Sequence, residues 1–454
     1  MEIQEGEYRK TLDFKWAQRL EKVGKLEAFD YLSGDNKYRE EQKELFLSDK
    51  INNPVLDYPK LNLENLDNRD QELLKLKKDI LREEKHEVIK QAYRWRINAT
   101  LAEVRMLKAT LNGEMRKFKR YSEFVYGKPS KEIFMQNLQS IKELIDSQNN
   151  SDNVDIKQAS EELKILVNFD LPQNEIYNLP NNNLIQIAKK MFEEEFADVI
   201  NLIPENKKEF KAEEIKEIFQ KSLNLLGAEG WEVVVDKNKT ALGVVQETKR
   251  VEVPESRLLK NKEMVRLDIH EIGTHVKRSV EGGKSILKLL EIGFDRSEKG
   301  EEGVATVREQ LFSSSLKDFA GMQGHLAIGL AEGLDGRPRN FRDVFKIFKT
   351  YFIIKKLIAG KELSIAKEEA EKAAWNRCLR TFKGTDCKTP GVCFTKDIVY
   401  REGNIGVWEV IKKDTQEMRR FSVGRYDPSN QRHLWILEQL GIGDNDLEQV
   451  ENEK

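Results

Sequence analysis

His270-Glu271-Ile272-Gly273-Thr274-His275 is the stretch on which the reading of this 454-residue chain turns. It is the HExxH pattern of zinc-binding helices lengthened by one residue. At about 100° per residue, histidines at i and i+4 lie about 40° apart on a regular helix, whereas i and i+5 lie about 140° apart. A regular helix therefore cannot bring both imidazoles to one ion. A single π-bulge, widening a turn to roughly 4.4 residues, returns the pair to about 50°, and such bulges concentrate at functional sites. Gly273, inside the expected bulge, relaxes into it more easily than a bulky residue. The bland alternative is that two of the five histidines fall beside a Glu on a surface helix.

A third ligand weighs against that alternative. Glu301-Glu302-Gly303-Val304-Ala305 begins 26 residues beyond His275 and opens a helical run through Val307 and Leu311. Two His and one carboxylate leave the fourth position of a zinc ion open, the arrangement of catalytic rather than structural sites. Spacing alone does not separate Glu301 from Glu302. The Glu-Gly-aliphatic-Ala form resembles the third-ligand helix of aminopeptidase-N-like zinc enzymes, which implies Glu302 as ligand and Glu301 as its supporting partner. Glu332, in a similar Glu-Gly setting, leads into a turn at Asp335-Gly336 and reads as a decoy.

One Zn²⁺ per chain with His270, His275 and Glu302 would acidify water toward pKa ~7 and polarise a carbonyl. Glu271, beside a ligand but angled away from the ion, is the expected general base, passing a proton from water to a leaving amine. Ligand types alone do not separate zinc from iron or manganese. His325, Tyr351 and Tyr400 are unranked candidates for stabilising an oxyanion.

Composition bounds the rest. Lys+Arg total 77 against 79 Asp+Glu, so no global charge draws the chain to nucleic acid or an anionic membrane. Hydrophobic residues are 39% and charged residues 34%, which points to long solvated helices. There is no basic-apolar leader and no apolar run of ~18 residues, so the expectation is a cytoplasmic protein without a membrane role. Cys378, Cys387 and Cys393 lack paired C-x2-C spacing and read as free thiols in a reducing compartment. Glu83-x-x-His86 has no second copy, which removes di-iron chemistry.

Along the chain, residues 1–150 read as a helical region, with apolar positions recurring at helical spacing between Gln71 and Leu111. Residues 151–440 read as the catalytic domain and 441–454 as an acidic, frayed tail. A helix is expected from Ala212 to Leu226, closed by Gly227. Three β-rich runs, Trp231 to Asp236, Ala241 to Gln246 and Lys249 to Pro254, predict a small antiparallel meander whose edge pairs with a substrate backbone. A helix is then expected from Ser256 through Met264, Leu267 and Val276 to Gly282-Gly283. The fold class is α+β, helix-dominated and zincin-like.

HEIGTH, EEGVA, Arg380-Thr381-Phe382-Lys383-Gly384-Thr385-Asp386 and the run from Pro390 to Tyr400 together resemble the microtubule-associated tyrosine carboxypeptidase family. They also resemble its bacterial relatives, the flavohemoglobin expression-modulating QEGLA motif proteins. The resemblance spans about Asn53 to Gly403. It implies a zinc metallopeptidase that removes a C-terminal residue, tyrosine of α-tubulin in the eukaryotic members. EEGVA stands for QEGLA or EEGLA, Lys383 for Arg and Cys387 for Thr. Without a strongly basic N-terminal patch, tubulin is not carried over as substrate.

A carboxypeptidase has to recognise a free α-carboxylate, for which Arg offers a fork and Lys a point charge. Arg377, Arg380, Lys383 and Lys396 are the candidates, with Arg380 and Lys396 foremost. The expected partner is a peptide or protein C-terminus, with tyrosine or another aromatic as the candidate residue released. The competing readings are an endopeptidase or amidase on the same metal, and a catalytically silent binding protein.

Overall fold

The apolar spacing from Gln71 to Leu111 is realised as two packed helices, Leu63–Glu83 and Glu87–Leu111, not one. The chain leaves helical conformation at Glu84 (ψ 127), and the Glu84 carboxylate accepts from the His86 backbone N–H. The longer helix completely buries Ile97, Val104, Met106 and Leu107. The computed structural model describes residues 11–24, 26–169, 180–204, 207–237, 239, 241–316 and 321–443. It is 66% helical with two small sheets, an α+β architecture dominated by helices. The acidic tail from residue 444 onward lies outside the described residues.

Buried side chains gather into three apolar clusters. One joins the N-terminal helices to the segment around Leu287–Phe294 and to the C-terminal helix Gln431–Gln439. A second lies among helices Lys131–Asp146, Phe341–Ile358 and Leu363–Thr381. The third underlies the His-Glu segment and includes Phe196, Phe219, Ile269, Ile272, Val276, Val304 and Trp408.

The strands are β1 (Glu209–Lys211), β2 (Glu232–Asp236), β3 (Gly243–Val245), β4 (Arg250–Pro254) and β5 (Leu258–Lys260). The expected antiparallel meander is corrected here: the order is β2-β4-β3, with β2 parallel and β3 antiparallel to β4. Val251 and Val253 are fully buried, so β4 takes the centre, the position with both edges covered. Lys249 to Val253 accordingly has no free edge for a substrate backbone. β1 and β5 pair antiparallel, with Phe210 opposite Leu259, both in the core. That pairing delays the next helix from the expected Ser256 to Asn261.

The Ala212–Leu225 helix forms as expected, with Gly227 at φ 60 beyond its end. Two long helices then position the chemistry. Helix Glu298–Ser313 packs along helix Ile398–Lys413, and Gly303 faces Gly403 where the two backbones come close. A Cβ on Gly303 would sit 2.5 Å from the Gly403 carbonyl oxygen. The glycine of EEGVA is therefore demanded by interhelical contact.

Candidate metal centre

The chain from Asn261 to Lys284 is one continuous helical run with a change of pitch inside it. Asn261–Leu267 is α, Asp268–Val276 is a nine-residue π-helix, and Lys277–Lys284 is α again. The π segment is longer than the single bulge that the spacing requires. Its apolar face, Ile269, Ile272 and Val276, is wholly buried. Gly273 is needed for space: a Cβ there would lie 2.5 Å from the Phe196 ring.

The wide turns bring the two imidazoles together, ring centroids 5.0 Å apart. Glu302 reaches both from helix Glu298–Ser313, with Oε2 3.6 Å from His270 Nε2 and Oε1 4.0 Å from His275 Nε2. One ligand atom from each of His270, His275 and Glu302 falls within 4.8 Å of the other two. Two donors each ~2.1 Å from a shared zinc are at most ~4.2 Å apart, so the carboxylate is already in range of both rings.

The outer nitrogens are held as well. His270 Nδ1 lies 2.7 Å from Glu309 Oε1, and Arg266 reaches the same oxygen at 2.8 Å. His275 Nδ1 lies 3.3 Å from Glu301 Oε2, and Glu301 is gripped by Arg278 at 2.8 Å and Arg425 at 3.3 Å. A carboxylate accepting at Nδ1 fixes the tautomer that leaves Nε2 as a lone pair for a cation. Burial alone would raise the Glu301 carboxyl, but the two guanidinium groups hold it down at about 2. Burial would lower His270, yet the Glu309 hydrogen bond and the Glu271 and Glu302 charges push it up to about 9.

Glu302 contrasts with Glu301. Its Oε2 is buried and accepts no hydrogen bond among the described residues, and burial pushes its carboxyl upward. A buried carboxylate with an unsatisfied oxygen, set against two imidazoles, is the condition a bound cation relieves. Glu271 is half-buried, and its charge acts on both His270 and Glu302.

The other candidates fall out differently. Tyr400 feels the centre electrostatically: the Glu302 charge is the chief reason its phenol is pushed upward, with burial adding to it. Arg377 and Arg380 both bind Asp397, Arg380 through Nε at 2.9 Å and a terminal nitrogen at 2.6 Å. Lys396 is ion-paired with Glu298 and stands 5.3 Å over the Tyr126 ring. Lys383 lies 3.2 Å over the Phe29 ring, and burial, with Arg380 and Arg39 nearby, lowers it to about 7. His325 is fully buried between Glu402 (3.2 Å) and Asn137 (3.4 Å). Tyr351 packs against Phe348 and Phe352 in the second core. Glu332 ends helix Met322–Glu332 and is not part of the three-residue cluster. All three cysteines are buried and free.

Sequence reasoning passed over Glu309, Arg278 and Arg425. Glu309 was within reach, since i+7 from Glu302 is two turns along one helix face. The arginines, one of them more than 100 positions from Glu301, left no such signal.

A comparison with curated proteins finds no match. Residues 169–356, which contain both HEIGTH and EEGVA, match the model of the microtubule-associated tyrosine carboxypeptidase family, the family that those motifs resemble.

Proposed function

We propose that the protein is a zinc metallocarboxypeptidase that hydrolyses the last residue from a peptide or protein, with His270, His275 and Glu302 as metal ligands and Glu271 as general base. The observation that carries this reading is the Glu302 carboxylate, its Oε2 buried without a hydrogen bond, with one oxygen toward each of two imidazoles whose Nδ1 atoms are already taken. The family match over residues 169–356 supports the carboxypeptidase assignment.

Zinc held there supplies Lewis-acid chemistry, acidifying water and polarising the scissile carbonyl. The chain's own residues do the rest. Glu309 and Glu301 orient the two imidazoles. Glu271 takes a proton on its carboxylate from the attacking water and delivers it to the leaving amine nitrogen. Tyr400, whose phenol feels the Glu302 charge, is read as the hydrogen-bond donor to the developing oxyanion, its proton staying on the phenol. Three unpaired cysteines support a reducing, cytoplasmic setting. Among the described residues no helix is long and apolar enough to cross a membrane.

The test is metal analysis with a peptide library of varied C-termini, free and amidated. Zinc in both wild type and Glu271→Gln, with trimming of free C-termini by wild type only, supports the reading. Equal cleavage of amidated peptides would make it an endopeptidase instead, and wild-type inactivity on the whole library would favour a silent binding protein.

A further inference from the structure

A cavity of about 360 Å³ opens beside the start of helix Glu298–Ser313. Glu298, one turn before Glu302, lines it, so the cavity lies along the helix that carries the third metal ligand; Val399, next to Tyr400, lines it as well. Its opposite wall comes from the N-terminal helices through Arg96, Glu103 and Tyr126. The volume is at the small end of ligand pockets, which run roughly 300–1,000 Å³, and suits one residue better than a folded segment.

Charges of both signs face the cavity, so their pairing decides what it accepts. Glu298 is engaged by Lys396, and Glu402 by Lys299 at 3.3 Å and His325 at 3.2 Å. Asp427 accepts from the Ser429 backbone at 2.9 Å and its hydroxyl at 2.7 Å. Glu103 accepts from Ala28 N at 2.9 Å, and burial pushes its carboxyl up to about 7. The two arginines are different. Among the described residues neither Arg96 nor Arg296 has a carboxylate within 4.0 Å. Arg96 Nε is buried without a hydrogen bond, and Arg296, exposed, stands 5.0 Å over the Phe124 ring with its backbone at φ 57. A buried donor left unmatched costs free energy that an anionic ligand recovers.

We infer that this cavity receives the C-terminal residue of the substrate, with the Arg96 and Arg296 guanidinium groups holding its α-carboxylate. Ala99, Val125 and Val399 give the side chain an apolar wall. The inference rests on the carboxypeptidase reading and moves carboxylate recognition away from Arg377, Arg380 and Lys396, each of which already holds an acid.

The experiment is calorimetric binding of N-acetyl-tyrosine and N-acetyl-leucine, each as free acid and as amide, to the zinc-loaded protein. The free acids are expected to bind wild type roughly tenfold or more tighter than the amides, the loss expected when a charge-assisted hydrogen bond is removed. Arg296→Gln, on the surface, and Arg96→Gln should each erase most of that preference without weakening amide binding. Lysine at either position should restore part of it. A preference unchanged in both glutamine variants, or no preference in wild type, overturns the inference. Peptide trimming measured alongside separates the two claims. Absent trimming sinks the carboxypeptidase reading, whereas trimming with the free-acid preference intact in both variants sinks only the pocket.

Discussion

Glu309 Oε1 stands 2.7 Å from His270 Nδ1, two helical turns beyond Glu302, so one helix supplies both the acid facing the inner imidazole nitrogen and the acid steadying the outer one. Glu309 touches no reacting atom in the proposed mechanism; it is a positioning residue. Glu309→Gln should weaken zinc binding by roughly 10–100-fold, the usual cost of losing an outer hydrogen-bond partner, while leaving the thermal melt of the metal-free protein nearly unchanged. Competition against a chromophoric chelator reads the affinity. Unaltered zinc affinity in a folded variant would show that His270 needs no such support.

The π-helix packs against Phe196 through Gly273. Gly273→Ala should destabilise the protein by about 1–3 kcal/mol, because the added methyl meets the Phe196 ring in a filled core. Phe196→Ala makes room for it. The double variant should therefore lose less than the sum of the singles, a coupling that denaturant melts of all four proteins measure. Strict additivity would mean that the glycine serves backbone freedom instead.

A third prediction concerns pH. Burial raises Glu103 from its ordinary 4.5 to about 7 in the fold, with Glu298 adding to the shift and Arg96 and Lys396 opposing it. The folded protein then binds more protons than the unfolded chain between these values, so this group costs stability as pH climbs through that window. Glu103→Gln keeps an oxygen for the Ala28 N–H and removes the charge. Its stability relative to wild type should be level near pH 4 and rise in its favour by up to on the order of 3 kcal/mol by pH 8. A difference constant across that range, in melts at fixed ionic strength, would contradict it.

What the sequence made legible here was local. The unusual His-to-His step implied a wide helical turn, and a π-helix lies there, because ligand spacing and helix pitch are coupled within six residues. The family resemblance agrees with the match over residues 169–356. Strand order was not legible: β3 follows β2 in the chain, but the burial of Val251 and Val253 puts β4 between them. Basic residues near Tyr400 looked free in the sequence, yet Asp397 and Glu298 occupy Arg377, Arg380 and Lys396. Whether a charge is spent on a neighbour depends on tertiary packing, which no spacing rule encodes.

The most direct measurement is zinc stoichiometry with X-ray absorption at the zinc edge, on wild type, Glu271→Gln, His275→Ala and Glu302→Ala. The account predicts one zinc per chain in wild type and Glu271→Gln, with a nitrogen and oxygen shell and no sulfur, and loss of most metal from the other two. Full zinc occupancy in His275→Ala and Glu302→Ala, or a sulfur-rich shell in wild type, would place the ion elsewhere and contradict it.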